Sequence, residues 1–302
     1  MCGMQHPSAF CPHPSALVLP VMGTLYLIAT PIGNLEDITL RALRLLREVS
    51  LIAAEDTRHT RRLLNHYNIA TPLVSYHEHN KGQRGDRILA ALADGDVALV
   101  SDAGTPVVND PGYELVVAAI EAGFTVSPVP GASAPLAALV ASGLPTAQWT
   151  FLGFLPNRAQ ARRSFLERAK DFRTTLICFE TPHRLGEALL DIAAVLGDRR
   201  IAVARELTKL HEEIVRGTVQ DAIAHFAMHA PRGEFVLVIE GAPERPPQPA
   251  IEGDWRPHAQ ARLHTLRAEG VGGSSAARQV AKELGVARSE VYAMWVELKD
   301  EG

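Results

Sequence analysis

The chain has 302 residues, 47% of them hydrophobic, which suffices for about two domains of roughly 150 residues each and excludes a disordered or fibrous protein. Its formal net charge of −4 argues against a protein covered in basic surface, so local patches of charge matter more than the sum. The three cysteines form no disulfide framework or zinc spacing, and no apolar run approaches the roughly 18 residues of a membrane span, so we expect a soluble protein of the reducing cytoplasm.

Strand-like and helix-like segments alternate from Thr24 to Leu144, which predicts an α/β domain with a parallel sheet over residues 22–144. The preceding residues 1–21 hold four prolines and no charged side chain, so they are predicted to be an unstructured extension. Short apolar runs predict the strands of this domain at 25–30, 51–54, 73–76, 97–101 and 125–129.

Two carboxylates, a guanidinium and an imidazole follow the second strand, at Glu55, Asp56, Arg58 and His59. Such a group at the ligand-binding edge of a sheet supports proton transfer or substrate binding. The same residues also fit an ordinary helix start, and for Asp56 by itself a helix N-cap is the favoured interpretation. After the third strand, His77 and His79 alternate in an extended chain, so we predict no shared metal site there.

A loop of small residues and proline, Ser101-Asp102-Ala103-Gly104-Thr105-Pro106, closes the fourth strand. Ligands of open α/β sheets bind beyond such strand ends, and Ala103 and Gly104 add no bulk where a ligand approaches. Taken by itself the loop fits a tight turn better than a ligand site, so its interpretation depends on the other motifs. The fifth strand ends in Pro130-Gly131-Ala132-Ser133-Ala134, where free N–H groups at a helix start suit a ligand.

A second α/β domain is predicted over residues 145–242, after the segment Gly143-Leu144-Pro145-Thr146, which interrupts helical periodicity. Its predicted strands are 150–153, 175–179, 201–205, 212–216 and 235–240, with helices near 158–170, 182–196 and 218–229. The last strands follow one another closely, so this sheet is predicted to be mixed. Charged groups again follow the strand ends, which favours a site in a cleft between the two domains.

A cluster of positive charge lies between residues 157 and 173, where six basic side chains accompany two acidic ones. Arg158 and Arg162 are four residues apart, so on a helix they share a face and would meet successive phosphates. A solvated helix face is the other interpretation, and it is the usual one for a run of charge.

Four prolines between 243 and 249 predict a semi-rigid linker over residues 243–254, followed by a helical module over residues 255–302. Within the module, a helix at 276–284, a turn at Gly285 and a helix at 289–298 capped by Ser289 resemble a helix-turn-helix. Its seven basic and six acidic side chains nearly cancel, so we predict a packing or RNA-positioning role rather than sequence-specific DNA binding.

Neither a P-loop nor a Rossmann glycine fingerprint follows any predicted strand. Instead, five segments resemble, in this order, the tetrapyrrole-methylase-like class of S-adenosylmethionine (SAM) methyltransferases: 29–35, 54–58, 101–106, 181–184 and 205–213. Within that class they are most similar to the branch that methylates the ribose 2'-oxygen of a cytidine in the decoding region of 16S rRNA. The resemblance extends from Gly23 to Gly241, and Thr181 stands where the pattern leads us to expect Ser.

The resemblance implies two α/β domains of the tetrapyrrole-methylase type with a cofactor cleft between them, plus the C-terminal helical module. It implies that SAM is bound by small or apolar residues and one carboxylate: Ala103, Gly104, Thr105, Val108, Ser133, Ala134, Glu180, Leu207 and Gly233. The same resemblance implies 16S rRNA in the small ribosomal subunit as partner and a homodimer, with neither a membrane nor DNA as partner.

A ribose hydroxyl is a weak nucleophile, so a base should remove its proton. Our hypothesis places that base among Glu55, Asp56 and Glu180, and the residues alone do not decide between them. The cations that would bind phosphate are Arg58, Arg158, Arg162, Arg205 and Lys209. Two other functions stay open, a tetrapyrrole methyltransferase and a non-catalytic RNA-binding factor of ribosome assembly; the basic segment and the helical module favour RNA over a porphyrin.

Overall fold

The computed structural model describes residues 23–77, 81–243 and 254–300. The predicted extension at 1–21 and nearly all of the predicted linker lie outside these residues. The chain separates into two compact units, one that ends at Glu240 and one that begins at Gly241. Each unit is described by itself.

The first sheet is five-stranded and parallel, with the order β3-β2-β4-β1-β5. Its strands are β1 Thr24–Ile28, β2 Leu51–Ala54, β3 Leu73–Ser75, β4 Val97–Val100 and β5 Thr125–Val129. The helices of this region are α1 Leu40–Glu48, α2 Thr57–His66, α3 Lys81–Asp94, α4 Tyr113–Glu121 and α5 Ala134–Ser142, with a short 3-10 helix at Leu35–Asp37. Because all strands run the same way, the loops that follow them meet at one edge of the sheet.

Helices cover both faces of this sheet, which explains why its central strands read as unbroken apolar runs. On one face, Leu46 of α1 and Leu63 of α2 pack against strand side chains such as Ile52. On the other face, Ile88 of α3 and Leu115 of α4 complete a second core cluster. The sheet predicted from the sequence is therefore confirmed in class and in strand positions.

The second sheet is mixed, as predicted, with the order β6-β7-β10-β8-β9. Its strands are β6 Trp149–Phe154, β7 Thr175–Glu180, β8 Arg200–Arg205, β9 Glu213–Thr218 and β10 Phe235–Ile239. The helices are α6 Ala159–Ala169, α7 Leu185–Leu196 and α8 Val219–Met228. Only β6 and β7 pair in parallel, whereas β10 is antiparallel to both β7 and β8.

Helix α5 joins the two sheets, because it follows the last strand of the first and packs on the second. Ala138 and Leu139 of α5 lie in one buried cluster with Ile177, Ala202 and Val236 of the second sheet. The helix starts at the small-residue segment that was singled out in the sequence, with Ser133 in the N-cap position. This connection brings the start of α5 to the region between the sheets.

The described residues of the second unit form three helices, α9 Arg256–Ala268, α10 Gly273–Leu284 and α11 Arg288–Asp300. They enclose a core that includes Leu263, Val280 and Trp295. Gly285 ends α10 in the left-handed conformation, as the predicted tight turn requires. One detail of the prediction is wrong: α11 begins at Arg288, so Ser289 lies inside its first turn and does not cap it. No helix in the described ranges is long and apolar enough to cross a membrane.

Candidate active site

A cavity of about 270 Å³ lies between the carboxyl edge of the first sheet and the strand ends of the second. The first half of the chain contributes strand-end residues to its wall: Ile32, Glu55, Asp102 to Thr105, Val108 to Asp110, and Ser133 to Pro135. The second half contributes Phe154, Phe179, Glu180, Glu206, Leu207, Lys209 and Glu234 to Val236. The strand-end motifs, each of which fits an ordinary turn or helix start by itself, therefore share a single cavity.

The loop after β4 is fixed to the end of β1 by a pair of backbone hydrogen bonds. The N–H of Thr30 donates to the carbonyl of Gly104 at 2.8 Å, and the N–H of Gly104 donates back to Thr30 at 3.0 Å. Gly104 has a φ of +81°, which a side chain would strain. The loop is thus both a tight turn and a wall of the cavity, because its turn geometry presents Ala103 and Thr105 to the cavity.

Farther along this loop the backbone is strained. Val107 and Asn109 have φ angles of 74° and 64°, a region that residues other than glycine rarely adopt. A Cβ on Gly153 of β6 would lie only 2.9 Å from Oδ1 of Asn109. Glycine at 153 therefore lets the loop of the first sheet approach the edge strand of the second.

A second contact between the two halves involves the loop after β8. The N–H of Asn34 donates to Oγ1 of Thr208 at 3.0 Å, although the two residues are 174 positions apart. Glu206 and Thr208 have positive φ angles of 50° and 65°, and between them Leu207 is buried against the cavity. Strain on both sides of the cavity is consistent with a functional site, where such conformations concentrate.

Glu55 is a half-buried carboxylic acid at the end of β2, and it lines the cavity. Burial raises its pKa, and the negative charges of Asp110 and Asp102 raise it further, although a hydrogen bond from the N–H of Asp102 opposes them. Burial and the charges of Asp102 and Glu234 likewise raise the pKa of Asp110. This end of the cavity therefore favours a bound proton or a cationic ligand. No group of three or more His, Cys, Asp or Glu within the described ranges is arranged to hold a metal ion.

Asp56, the neighbour of Glu55, has a different environment. Its carboxylate accepts a hydrogen bond from the N–H of Arg58 at 2.8 Å and so caps α2, as predicted for this residue by itself. The Arg58 side chain also pairs with it at 2.9 Å, and these hydrogen bonds lower the pKa of Asp56 to about 2. Asp56 is therefore a poor proton acceptor at neutral pH, which corrects its place among the candidate bases.

Glu180, at the end of β7, is buried and lines the cavity. Its Oε1 atom accepts a hydrogen bond from the N–H of Thr181 at 2.7 Å and pairs with Arg184 at 2.6 Å. Its Oε2 atom is buried and has no hydrogen-bond partner among the described residues. An unpartnered buried carboxylate oxygen is costly, so this atom is suited to accept a hydrogen bond from a ligand.

The other predicted site residues occupy varied positions. Lys209 lines the cavity but pairs with Glu206 at 2.9 Å, and Arg205 pairs with Glu213 at 2.5 Å outside the set of lining residues. Gly233 does not line the cavity itself but directly precedes Glu234, which does. Arg158 is exposed at the N-terminal end of α6.

The prediction that Arg162 binds phosphate is wrong. Its side chain is only 1% exposed, and its Nε atom donates to Asp191 of α7 at 2.7 Å. Further bonds join its guanidinium to Glu187 and to the carbonyls of Pro156 and Asn157. The helix buries the face that carries Arg162, so Arg158 and Arg162 do not form a common surface for phosphate.

Two parts of the cavity wall contain residues that were not predicted from the sequence. Asp110 and Glu234 add acidic charge, and the Phe154 and Phe179 rings, with centroids 5.2 Å apart, add an aromatic side. In the sequence, Asp110 follows the loop after β4 in the turn-forming segment Asp110-Pro111-Gly112, which by itself does not indicate a partner for its carboxylate. The aromatic rings sit at or beside strand ends, yet no local pattern distinguishes them from ordinary core residues.

Comparisons with known proteins agree on the family. The family described as Tetrapyrrole (Corrin/Porphyrin) Methylases matches residues 24–223 of the chain. A protein named Ribosomal RNA small subunit methyltransferase I from Halalkalibacterium halodurans is 50% identical over 272 residues, which cover 89% of this chain and 93% of the relative. The protein of the same name from Synechocystis sp. is 49% identical over 284 residues, which cover 93% of this chain and all of the relative.

Solved structures share the fold at much lower identity. A diphthine synthase superposes with a TM-score of 0.54 at 15% identity, covering 72% of this chain and 90% of that protein. A cobalt precorrin-4 methyltransferase of cobalamin biosynthesis superposes with a TM-score of 0.53 at 19% identity, covering 71% of this chain and 94% of that protein. At these identities the likeness shows the fold alone.

Proposed function

Because the chain belongs to the tetrapyrrole methylase family, in the branch of the relatives named ribosomal RNA small subunit methyltransferase I, we propose that it methylates the 2'-oxygen of a cytidine ribose in the decoding region of 16S rRNA. The methyl donor of this family of methyltransferases is SAM. The observation that carries the proposal is the shared cavity, in which a proton-accepting carboxylic acid, Glu55, lies among residues suited to hold the donor.

The residues of the cavity fit SAM. Six carboxylates and one ammonium group line it, which suits a donor that carries a net positive charge. The orphaned Oε2 atom of Glu180 offers a buried acceptor to one of the donor's N–H or O–H groups. Small or apolar residues from both halves also line the cavity and leave room for close approach: Ala103, Gly104, Thr105, Val108, Ser133, Ala134 and Leu207. Gly233 does not line the cavity, so its proposed role in binding SAM is limited to positioning the next residue, Glu234, which does.

When bound, SAM supplies an electrophilic methyl group. Glu55 then has the task of accepting the proton of the ribose hydroxyl, and its raised pKa makes it a stronger base than an ordinary glutamate. Glu180 is proposed to orient the donor, and Arg184 and the N–H of Thr181 hold its carboxylate in place. Fixing both reactants in line accounts for much of the rate, since oriented groups reach effective molarities of roughly 10⁵–10⁸ M.

The proposed substrate is an RNA, so cations near the cavity are proposed to contact its phosphates. Arg158, Arg58 and Arg205 are outside the cavity wall, and Lys209 lies in it. Arg205 and Lys209 are engaged by carboxylates and would have to exchange partners on binding RNA. Lys209 is exposed, and surface ion pairs are weak, so its exchange costs little. The Arg205–Glu213 pair is half-buried, so exchanging it costs more.

The resemblance also supports a homodimer that acts in the cytoplasm on the small ribosomal subunit. Light scattering of the purified protein at several concentrations measures the oligomeric state directly. A mass equal to one 32.7 kDa chain at all concentrations would contradict the dimer without affecting the proposed reaction.

The test of the proposed reaction uses purified protein, labelled SAM and small ribosomal subunits that lack the modification. Nuclease digestion and mass spectrometry then locate the label on a base or a ribose. Label on the ribose of a cytidine supports the proposal, and the same assay with Glu55→Gln should give little label although SAM still binds. Absence of label with intact SAM binding would contradict it and direct attention to tetrapyrroles or to a non-catalytic role.

A further inference from the structure

Helix α2 carries a polar stripe along its exposed side. Arg58, Arg61, Arg62 and Asn65 follow the spacing i, i+3, i+4 and i+7, which places them on one face of a helix. With Thr57 they line a shallow hollow on the surface. The opposite face, with Thr60, Leu63 and Leu64, is buried. We call the exposed side the α2 arginine face; it comprises Arg58, Arg61, Arg62 and Asn65. These residues are not part of the buried face of the helix.

The charge of this region is opposite to that of the whole chain. Helix α2 has no acidic residue, and α1, which packs on the same side of the sheet, adds three more arginines. Six arginines in the two helices thus accompany two carboxylates, Glu48 of α1 and the capping Asp56, in a chain whose formal net charge is −4. Concentrated positive charge on a negatively charged protein marks a surface for an anionic partner.

The arginines differ in how they are engaged. Arg44 pairs with Glu48 at 2.6 Å, Arg47 donates to the carbonyl of Tyr67 at 3.0 Å, and Arg58 pairs with Asp56. Within the described ranges, neither a hydrogen bond nor an ion pair is formed by the exposed side chains of Arg61 and Arg62. Without such interactions among the described residues, these two guanidinium groups are available to bind a ligand.

The position of α2 connects this face to the active site. Thr57, its first residue, comes two positions after Glu55, whose carboxyl lines the cavity. The cavity itself is strongly acidic and repels phosphate. An RNA strand that delivers a ribose to Glu55 must therefore place its phosphates on a cationic surface near the cavity, and the α2 arginine face begins at Arg58, three residues after Glu55.

We propose that the α2 arginine face binds the phosphate backbone of the RNA next to the target nucleotide, with Arg61 and Arg62 as the principal contacts. This inference rests on the proposed function. Arg58 of this face is already among the cations predicted to bind phosphate, and Arg61 and Arg62 are added to it here as the principal contacts. Phosphate contacts fix the position of a nucleic acid without reading its sequence, so the face positions the substrate and leaves its selection to other residues.

The test compares two double variants that remove the same charge. Arg61→Gln/Arg62→Gln alters the proposed face, and Arg168→Gln/Lys170→Gln alters exposed cations near the C-terminal end of α6. Binding to small subunits lacking the modification is measured over a series of salt concentrations, together with single-turnover methylation, SAM affinity and the thermal unfolding midpoint. A third variant, Arg61→Lys/Arg62→Lys, keeps the charge.

Each phosphate contact releases about 0.7 counterions for a single strand, so losing two lowers the slope of log affinity against log salt by about 1.4 and the affinity about tenfold at ~0.15 M salt. We expect this change for Arg61→Gln/Arg62→Gln, with unchanged SAM affinity, unfolding midpoint and methylation rate at saturating RNA. The lysine variant should recover most of the affinity, and Arg168→Gln/Lys170→Gln should behave as the wild type.

Two results overturn the inference alone. The first is an unchanged salt slope in Arg61→Gln/Arg62→Gln. The second is an equal loss in Arg168→Gln/Lys170→Gln, which would make the effect one of net charge or of the basic segment 157–173 as much as of the α2 arginine face. Both require that the wild-type protein methylates the RNA. If the wild type neither binds nor methylates it, the proposed function fails and this inference fails with it, so the wild-type measurement separates the two cases.

Discussion

The two halves of the first unit place a carboxylate in opposite electrostatic environments. In the second half, Asp191 is 3% exposed and binds two guanidinium groups, Arg162 at 2.7 Å and Arg163 at 2.6 Å. In the first half, Glu55 lies among other carboxylates, whose charges add to burial in raising its pKa. The ion pairs of Asp191 stabilise the fold. The repulsion between Glu55 and its neighbouring carboxylates is instead relieved when a cationic ligand or a proton binds.

The strongest test of this contrast is Glu55→Gln. We expect methyl transfer to slow about 10²- to 10⁴-fold, because the amide cannot accept the hydroxyl proton. The free energy of unfolding should not fall, since the change removes a carboxylate from a group of like charges. Single-turnover assays at saturating SAM and urea denaturation measure the two quantities.

The matched control is Asp56→Asn. An asparagine caps a helix about as well as an aspartate, and the ionised Asp56 carboxylate is engaged by Arg58, so the transfer rate should stay near that of the wild type. A wild-type rate in Glu55→Gln, or a large loss in Asp56→Asn, would reverse the assignment of the base.

Asp191→Asn tests the paired side of the comparison. It leaves the Arg162 guanidinium buried without its full countercharge, and removing one member of such a pair costs about 3–5 kcal/mol of unfolding free energy. The control is Glu187→Gln, because Glu187 contacts the same arginine but its side chain is 72% exposed, so the loss should stay below about 1 kcal/mol. Urea denaturation distinguishes the two, and equal losses would refute the role of burial.

Glu180→Gln tests a carboxylate of which one oxygen is in an ion pair and the other has no hydrogen-bond partner among the described residues. Glu180 lines the cavity; its Oε1 is paired with Arg184, whereas its Oε2 is buried and is the oxygen without such a partner. If Oε2 accepts a hydrogen bond from SAM, affinity for SAM should fall about 10- to 100-fold, as for loss of a charged hydrogen bond of about 1.5–3 kcal/mol. Titration calorimetry measures it, with Thr181→Ser as a control that keeps the hydroxyl. Unchanged affinity would exclude Glu180 from the donor site.

Asp110→Asn should have the smallest effect, a shift in pH dependence. Glu55 accepts a proton only when it is ionised, so the rate rises as the pH passes its raised pKa. Removing the negative charge of Asp110 lowers that pKa, and the acidic limb of the kcat/KM profile should move to lower pH. A shift to higher pH would mean that Asp110 supports the ionised form of Glu55.

Sequence patterns predicted the features that depend on residues close together in the chain, namely strands and helix caps. The strand at 51–54 was predicted to the residue because an apolar run between turn signals indicates a buried strand. The strand at 125–129 was also predicted to the residue, although Val129 is its one buried side chain, and the N-cap role of Asp56 followed from its position. The burial of Arg162 in an ion pair was not predictable in this way, because its partner Asp191 is 29 residues away on another helix. The contact of Asn34 with Thr208 spans 174 positions and has no local signature.

The position of β10 has a consequence for how the protein is made. It is the last strand of its sheet along the chain, yet it lies at the centre, between β7 and β8. Until residue 239 has left the ribosome, both neighbours lack the strand that joins them, and the wall formed by residues 234–236 is missing. A chain that stops earlier contains the complete first sheet but exposes the unpaired edges of β7 and β8. Such a chain is prone to aggregation and to chaperone binding, and it is not a partly active enzyme.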